Sequence, residues 1–227
     1  DLVIDLQNSK RTQFYHFITR IFNPKIVINS SRKFSHLRYN IPKHGSEHVI
    51  EGLKNQLNLL NIEHKSISDI NWLRKKDFIN PIKKKFVLLI PGTSQNGSKK
   101  QWSSKNFSKL SQLINDLDFE VVISGTPNDR ETIKYILSQA PKIINLEQYS
   151  DFPNFINLCD SASIIISVDT GPAHIAAYSN IPLIWIIKSS KYSITNKPFS
   201  RNTYIIEADD VNSIKVDDVY KKVLELI

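Results

Sequence analysis

From Lys85 onward, short apolar runs alternate with segments of helical periodicity, and this alternation constrains the fold more than any other feature of the chain. The apolar runs are Phe86–Ile90, Glu120–Ser124, Lys142–Leu146, Ser163–Val168, Pro182–Ile187 and Thr203–Ala208. Runs of this length that are separated by helices are typical of parallel strands buried on both faces. The pattern predicts a doubly wound α/β domain, whose ligand crevice lies outside the carboxyl ends of the strands.

The segments that separate and follow these runs carry apolar residues at helical spacing, as amphipathic helices do. The predicted helices are Ser104–Leu117, a helix after Asn128, Phe152–Cys159 and a terminal helix over Ser213–Ile227. Strands and helices therefore follow one another strictly in this part of the chain.

The amino-terminal part has a similar but shorter pattern. It predicts strands over Leu2–Leu6 and Lys25–Ile28 and helices over Thr12–Ile21 and Glu47–Leu60. Residues 62–84 lack periodicity and carry Pro81 within a lysine-rich run, so we expect a boundary there. The first domain is then residues 1–80 and the second, with the terminal helix, residues 81–227. The first is expected to be incomplete, because Asp1 leads directly into an apolar strand.

Composition limits the classes of protein without choosing one. Hydrophobic residues make up 41% of the 227 residues, which is enough for a buried core. No run of about eighteen apolar residues predicts a membrane-spanning helix. The single cysteine, Cys159, lies at helical spacing and is interpreted as a small buried apolar residue. A net charge of +8 favours acidic partners such as nucleotides, phosphorylated lipids, an anionic membrane face or nucleic acid.

The strand that ends at Val168 runs directly into Asp169-Thr170-Gly171-Pro172 and a short helical segment. Pro172 suits the first helical position, with Thr170 or Gly171 as the N-cap. Free amides at the positive end of a helix form a seat for an anion, which Asp169, Thr170 and His174 would surround. A simple helix cap that binds nothing is the alternative.

A second polar loop follows the strand that ends at Ile90. It begins Pro91-Gly92-Thr93-Ser94 and ends Lys99-Lys100-Gln101-Trp102. Gly92 would allow close approach of the backbone to a ligand, Thr93 and Ser94 offer hydroxyls, and Lys99 or Lys100 offers a cation. The loop is not a P-loop, because no Gly-Lys-Ser/Thr closes onto a helix. A solvated basic loop is the alternative, as is a plain turn capped by Asn128 for the loop over residues 124–129.

Together these motifs resemble the family of ADP-heptose:lipopolysaccharide heptosyltransferases. The matching residues are Pro91–Ser94, Lys100-Gln101-Trp102, Gly125 with Asp129, Asn145-Leu146, Asp169 to His174, and Asp1–Gln7 in the amino-terminal strand. The resemblance spans nearly the whole chain. It implies a GT-B fold, in which two Rossmann-like doubly wound domains face a cleft and the second binds the nucleotide-sugar.

The resemblance also implies roles for particular residues. Thr93, Ser94 and Lys100 would hold the diphosphate of the donor, joined by Thr170, Gly171, Pro172 and His174 at the helix start. Lys100 and Asp169 are the candidate catalytic residues, and Asp5 is a candidate for the general base. The reaction in that family is inverting and independent of metal, so neither a cofactor nor a metal site is expected. Asp169 could equally brace its loop.

The expected donor is a nucleotide-sugar such as ADP-heptose, and the expected acceptor is a lipopolysaccharide core or lipid A. The basic loop of the first domain would suit a phosphorylated acceptor or be merely solvated; its residues are Arg32, Lys33, His36, Arg38, Lys43 and His44. A cytoplasmic protein is expected, with peripheral contact at the inner membrane left open. The competing interpretations are a nucleotide-binding module without catalysis, a GT-B nucleotide-sugar epimerase and a nucleic-acid binder, which no recognition motif supports.

Overall fold

The computed structural model describes residues 1–42, 46–63, 70–92, 100–190, 193 and 195–227. The chain folds into two compact units. The first unit comprises Asp1–Ser68 and Lys191–Asn196, and the second comprises Asp69–Ser190 and Lys197–Ile227. A short segment late in the sequence thus groups with the amino-terminal part.

The first unit contains a small parallel sheet in the order β1-β2-β3. Its elements are β1 (Leu2–Ile4), α1 (Lys10–Phe22), β2 (Val27–Ser30), β3 (Leu37–Arg38) and α2 (Val49–Asn58). Helix α1 starts at a capping box, in which Ser9 and Thr12 exchange side-chain to backbone hydrogen bonds. Strand β3 was not predicted, because two residues in a basic, polar stretch give no periodic signal.

The second unit contains a six-stranded parallel sheet in the order β6-β5-β4-β7-β8-β9. Its strands are β4 (Phe86–Ile90), β5 (Glu120–Ile123), β6 (Ile144–Asn145), β7 (Ile164–Val168), β8 (Leu183–Lys188) and β9 (Thr203–Ala208). The strand order reverses between β4 and β7, as it does in Rossmann-type sheets. The predicted doubly wound α/β architecture is therefore confirmed.

Helices cover both faces of this sheet. They are α3 (Ser104–Asn115), α4 (Arg130–Gln139), α5 (Phe152–Ser161), α6 (Gly171–Ala176) and α7 (Val216–Leu226). Single 3₁₀ turns occupy Asn71–Leu73, Pro127–Asp129, Glu147–Tyr149, Ala177–Ser179 and Val211–Ser213. The terminal helix is shorter than predicted, because Val211–Ser213 forms a separate turn before it.

Alternate residues of β4 enter two hydrophobic cores. Val87 and Leu89 belong to the core beneath α3, α4 and α7, while Leu88 and Ile90 belong to the core beneath α5 and α6. All five residues of β4 are buried, as are all five of β7. This two-sided burial holds the carboxyl ends of β4 and β7 rigidly side by side.

Trp102 ties the segment before α3 to the start of α7. Its indole is fully buried and donates a hydrogen bond to the Ile214 carbonyl at 3.0 Å. Its ring also packs edge-on against Phe107, with 5.0 Å between the centroids. In the part of the chain that the structure describes, no helix is long and apolar enough to cross a membrane.

Candidate active site

The candidate site lies where the strand order of the larger sheet reverses. Strands β4 and β7 pair in parallel, with Ile90 opposite Ser167. The loops that follow them therefore leave the sheet next to each other, which is where open α/β sheets bind ligands. The two polar loops singled out in the sequence start from these neighbouring positions.

A cavity of about 430 Å³ opens at this edge of the sheet. It is lined by Ile90, Gly92, Ser124, Gly125, Thr126, Asn128, Asp129, Ser150, Phe152, Phe155, Thr170, Gly171, Pro172 and Ile175. The cavity combines backbone at three glycines with hydroxyls and two phenylalanine side chains. Its size falls within the range of about 300–1,000 Å³ that is usual for small-molecule sites.

Lys100 and Asp169 meet at the same edge. Lys100 Nζ lies 2.7 Å from Asp169 Oδ2, and their side chains are 55% and 32% exposed. An ion pair this exposed contributes only about 0–1 kcal/mol to stability. The anchored indole of Trp102 fixes the backbone two residues after Lys100.

Thr170 is the N-cap of α6, with extended backbone dihedrals. The helix begins at Gly171, so Pro172 occupies the second helical position and not the first as predicted. Helix α6 has only six residues, and its dipole is correspondingly small. A Cβ atom built at Gly171 would meet nothing within 4 Å, so a ligand can approach the backbone closely there.

His174 is not among the residues that line this cavity. Its side chain is exposed, and its ring lies edge-on to Trp185 of β8 with centroids 6.4 Å apart. Pro172 and Ile175 line the cavity on either side of it in sequence. The structure thus brings Lys100, Asp169, Thr170, Gly171 and Pro172 to one edge, and His174 lies in the same short helix as Gly171 and Pro172. The predicted ligands Thr93 and Ser94 lie outside the described residues, as does Lys99.

Gly92 has a different role from the one predicted. A Cβ atom at Gly92 would lie 2.1 Å from Cγ of Asp129, so its position is filled by a carboxylate of the protein itself. That carboxylate accepts hydrogen bonds of 2.8 Å from both the amide and the hydroxyl of Thr126. Thr126 and Asp129 form the capping box, whereas Asn128 was expected to be the cap.

Ser150, Phe152, Phe155 and Ile175 line the cavity but were not predicted as site residues, whereas Ser124 belongs to the polar loop over residues 124–129. Ser124 is 1% exposed, and its hydroxyl has no hydrogen-bond partner among the described residues. Phe152, at the start of α5, is 60% exposed, and Ile175 follows the proline of α6. An aromatic residue at a helix start that directly follows a strand and a turn was the available signal for Phe152.

Asp5 lies in the first unit and is buried. Its carboxylate accepts hydrogen bonds from the amides of Gln7 and Asn8 at 3.0 Å and from the Ser30 hydroxyl at 3.1 Å. His16 Nε2 lies 3.2 Å from the same carboxylate. Burial alone would raise the pKa of Asp5, but hydrogen bonding with Thr12, Asn8 and Ser30, together with the charge of His16, holds it below its usual value. The carboxylate is engaged in holding the loop after β1.

No three metal-binding side chains of the His, Cys, Asp or Glu type come together anywhere within the described residues. Cys159 is fully buried, and its burial raises the pKa of the thiol, as expected for a core residue.

The family model of glycosyltransferase family 9 (heptosyltransferase) matches residues 1–223. Lipopolysaccharide heptosyltransferase 3 of Escherichia coli is 25% identical over 96% of this chain and 68% of its own length. Lipooligosaccharide heptosyltransferase 2 of Haemophilus ducreyi is 29% identical over 56% of this chain and 38% of its own length.

The fold is also that of solved heptosyltransferases of the GT-B type. The structure of E. coli heptosyltransferase WaaC with ADP superposes with a TM-score of 0.74 and 16% sequence identity. The match covers 100% of this chain and 73% of that one. At this identity the likeness concerns the fold.

Proposed function

The chain belongs to glycosyltransferase family 9 (heptosyltransferase), and from that premise we propose that it transfers a heptose or a related sugar from a nucleotide-sugar to a lipopolysaccharide-type acceptor. The proposed donor is ADP-heptose. The lipopolysaccharide and lipooligosaccharide heptosyltransferases that the chain resembles support this choice of substrates.

One observation carries the proposal: a lysine, a helix start and a cavity share the edge at which β4 and β7 end. Lys100 lies at this edge beside Asp169, and Gly171 lines the cavity with open space next to its backbone. When a glycosyl bond to a nucleoside diphosphate breaks, negative charge develops on the departing phosphate. The Lys100 ammonium group and the backbone amide of Gly171 would stabilise that charge in the transition state.

The cavity suits the remaining parts of a nucleotide. We propose that the backbone at Thr170 and Gly171 contacts the diphosphate, with Pro172 shaping the turn. Thr93, Ser94 and His174 join them on the strength of the family resemblance. The exposed ring of Phe152 offers a flat apolar surface to the base.

We propose an inverting transfer in which Lys100 supplies the positive charge at the leaving group and no cofactor takes part. Asp169 holds Lys100 when no donor is bound and accepts a hydrogen bond from the donor sugar when Lys100 turns to the phosphate. Asp5 does not fit the role of general base, because it is buried and its carboxylate already accepts three hydrogen bonds.

The acceptor and the place of action follow from charge. A net charge of +8 favours an anionic acceptor and peripheral contact with an anionic membrane face from the cytoplasmic side. In the first unit, Arg32 and Lys33 precede β3 and Arg38 belongs to it, so these three residues place positive charge there. Lys43 and His44 lie outside the described residues. A phosphorylated part of the acceptor would contact the residues around β3.

Titration calorimetry with ADP, UDP and GDP tests the donor site. We expect ADP to bind, and Lys100→Ala to weaken its binding about 10- to 100-fold through loss of a charged hydrogen bond. Lys105→Ala is the matched control, since Lys105 is an exposed lysine in the first turn of α3. If no nucleoside diphosphate binds, or if both variants behave alike, the site assignment fails.

A transfer assay with ADP-heptose and a lipopolysaccharide-core acceptor tests the reaction itself. Transfer that Lys100→Ala suppresses and Lys105→Ala retains supports the proposed enzyme. Binding of ADP without any transfer would instead identify a nucleotide-binding module without catalysis.

A further inference from the structure

A second cavity, of about 240 Å³, lies wholly within the first unit. Its floor is the loop after β1, and one wall is a face of α2 formed by Val49, Leu53 and Gln56. The Val49 amide donates a hydrogen bond of 3.0 Å to the Thr195 carbonyl. This bond joins the wall to the segment Lys191–Asn196, which belongs to the first unit. A cavity below the usual range for drug-sized ligands is of a size for one sugar ring.

The floor is rigid because its polar groups bond to one another. Asn8 Nδ2 donates to Gln56 Oε1 at 2.8 Å, and Gln56 Nε2 donates to the Asp5 carbonyl at 2.9 Å. Gln56 is fully buried, and Asn8 Oδ1 accepts from the Ser31 amide at 2.7 Å. These groups hydrogen-bond to one another and therefore shape the cavity. The exposed side-chain amide of Gln7 is left to contact a ligand.

Glu47 is held at the rim of this cavity by two donors. The Tyr39 hydroxyl lies 2.7 and 2.8 Å from its two carboxylate oxygens, and Asn55 Nδ2 donates to Oε1 at 2.7 Å. Burial and the hydrogen bond to Glu47 raise the pKa of Tyr39, so it remains a donor at neutral pH. A carboxylate has about four acceptor positions, which leaves room for donors from a ligand.

Gly52 of α2 lies next to the Glu47 carboxylate. A Cβ atom at Gly52 would lie 3.0 Å from Glu47 Oε2. Glycine in a helix interior costs about 1 kcal/mol relative to alanine. A methyl group at Gly52 would require the Glu47 carboxylate to shift by a few tenths of an ångström.

Glu47 is the only carboxylate among the described residues that line the cavity. No lysine or arginine is among the described residues that line the cavity. The remaining wall is apolar and accessible, since Leu6, Ile41 and Val49 are 50%, 57% and 52% exposed. Apolar side chains next to a carboxylate and an amide suit a sugar ring, which has apolar CH faces and hydroxyl donors. A phosphate group here would face a fixed negative charge.

We propose that this cavity is the subsite for one acceptor sugar ring that carries no phosphate, and that Glu47 sets this selectivity. The inference rests on the proposed glycosyl transfer and adds the class of acceptor unit. Hydroxyl or ammonium groups of the sugar donate to Glu47, and Gln7 contacts its other edge. Phosphorylated parts of the acceptor lie outside this cavity.

Methyl NMR on the full chain provides a local test. Glucose, galactose and glucosamine are each titrated against their 6-phosphates, and the methyl groups of Val49 and Leu53 report occupancy. We expect at least one parent sugar to bind, and its 6-phosphate to bind about tenfold more weakly or worse. If none of the three sugars shifts these methyl groups, or if the phosphates bind equally well, the proposal is overturned.

Variants separate charge from structure. Glu47→Gln should weaken binding of the parent sugar about three- to tenfold and abolish most of the discrimination against its 6-phosphate. Tyr39→Phe removes the hydroxyl that donates to Glu47 but keeps the negative charge of Glu47, so the discrimination against the 6-phosphate should persist. Glu51→Gln, in the first turn of α2, is the control, because Glu51 pairs with Lys54 and does not line the cavity. Retained discrimination in Glu47→Gln would overturn the role of Glu47.

The same spectra keep this inference apart from the proposed function. ADP is titrated separately and followed at the methyl groups of Ile90 and Ile175, which line the cavity of the second unit. Absence of ADP binding would count against the proposed donor site and leave the sugar result intact. Absence of sugar binding with ADP bound would count against the subsite alone.

Discussion

Lys100 Nζ lies 2.7 Å from Asp169 Oδ2, although the two residues are 69 positions apart in the chain. The first follows the loop after β4, and the second follows β7 directly. Because β4 and β7 are neighbours at the reversal of strand order, the pair forms where a ligand is expected. Asp169 therefore contacts the ammonium group that the proposed diphosphate would need, so Asp169 and the diphosphate would compete for Lys100.

The first prediction concerns this competition. Asp169→Asn should raise the affinity for ADP about three- to tenfold, because Lys100 no longer has to leave a carboxylate and one negative charge near the phosphates is gone. The free energy of unfolding should change by less than about 1 kcal/mol, since the pair is exposed. Calorimetry with ADP and denaturant unfolding measure the two quantities.

Asp118→Asn is the control for that variant. Asp118 is 94% exposed and lies just before the amino end of β5, away from the carboxyl ends of the strands. The variant Asp118→Asn should leave ADP affinity unchanged. Weaker binding of ADP by Asp169→Asn would show that Asp169 supports the nucleotide directly and does not compete for Lys100.

The second prediction compares two glycines of the site. Gly92→Ala places a methyl group 2.1 Å from Asp129 Cγ and should lower the free energy of unfolding by about 1–3 kcal/mol. Gly171→Ala meets nothing within 4 Å and should change stability little. It should nevertheless weaken ADP binding, because the methyl group occupies the space in which the ligand approaches the backbone. Thermal unfolding and calorimetry distinguish the two outcomes.

A double variant checks the cause of the first effect. Asp129→Ala removes the atoms that a methyl group at Gly92 would meet. Gly92→Ala combined with Asp129→Ala should therefore cost less than the sum of the single changes. Strict additivity would mean that the strain at Gly92 has another source.

The strands of the larger sheet were predictable because each is an apolar run buried on both faces. Phe86–Ile90 is an example whose bounds the structure confirms. The two-residue strand Leu37–Arg38 was missed, since pairing with β2, and not its own sequence, creates it.

The site was predictable as a place but not as a set of contacts. The sequence identified the loops after β4 and β7, because polar residues follow apolar runs there. It could not show that the space beside Gly92 is filled by Asp129, which belongs to the loop after β5. Nor could it show which way His174 points, since one residue along a short helix changes the direction by about 100°.

The third prediction concerns Cys159, the single cysteine of the chain. It is fully buried, and burial raises the pKa of its thiol, so the reactive thiolate is scarce. In the folded protein at pH 8, a disulfide reagent such as DTNB should react far more slowly than with a free thiol. In denaturant, one thiol per chain should react at once. Rapid stoichiometric reaction of the folded protein would contradict the buried position, and Cys159→Ala gives the blank.

The fourth prediction concerns the acid stability of the first unit. The pKa of Asp5 is lowered in the folded state, so the unfolded chain binds its proton more tightly. The stabilisation from Asp5 is therefore complete above the unfolded pKa, which is about 3.9, and is lost as the pH falls through the lower folded value. At neutral pH, Asp5→Asn should lower the free energy of unfolding by about 1–3 kcal/mol, because it weakens the hydrogen bonds from the loop after β1.

Denaturant unfolding between pH 2.5 and pH 7, followed at the buried methyl groups of Ile28 in β2, measures this effect locally. The wild-type protein should lose stability in the first unit below about pH 4, and Asp5→Asn should lose less over the same range, since it has no proton to take up. Methyl groups of the second unit, such as those of Ile114, provide the internal control and should respond equally in both proteins. If both proteins show the same acid slope at Ile28, the Asp5 carboxylate does not hold the loop as the structure indicates.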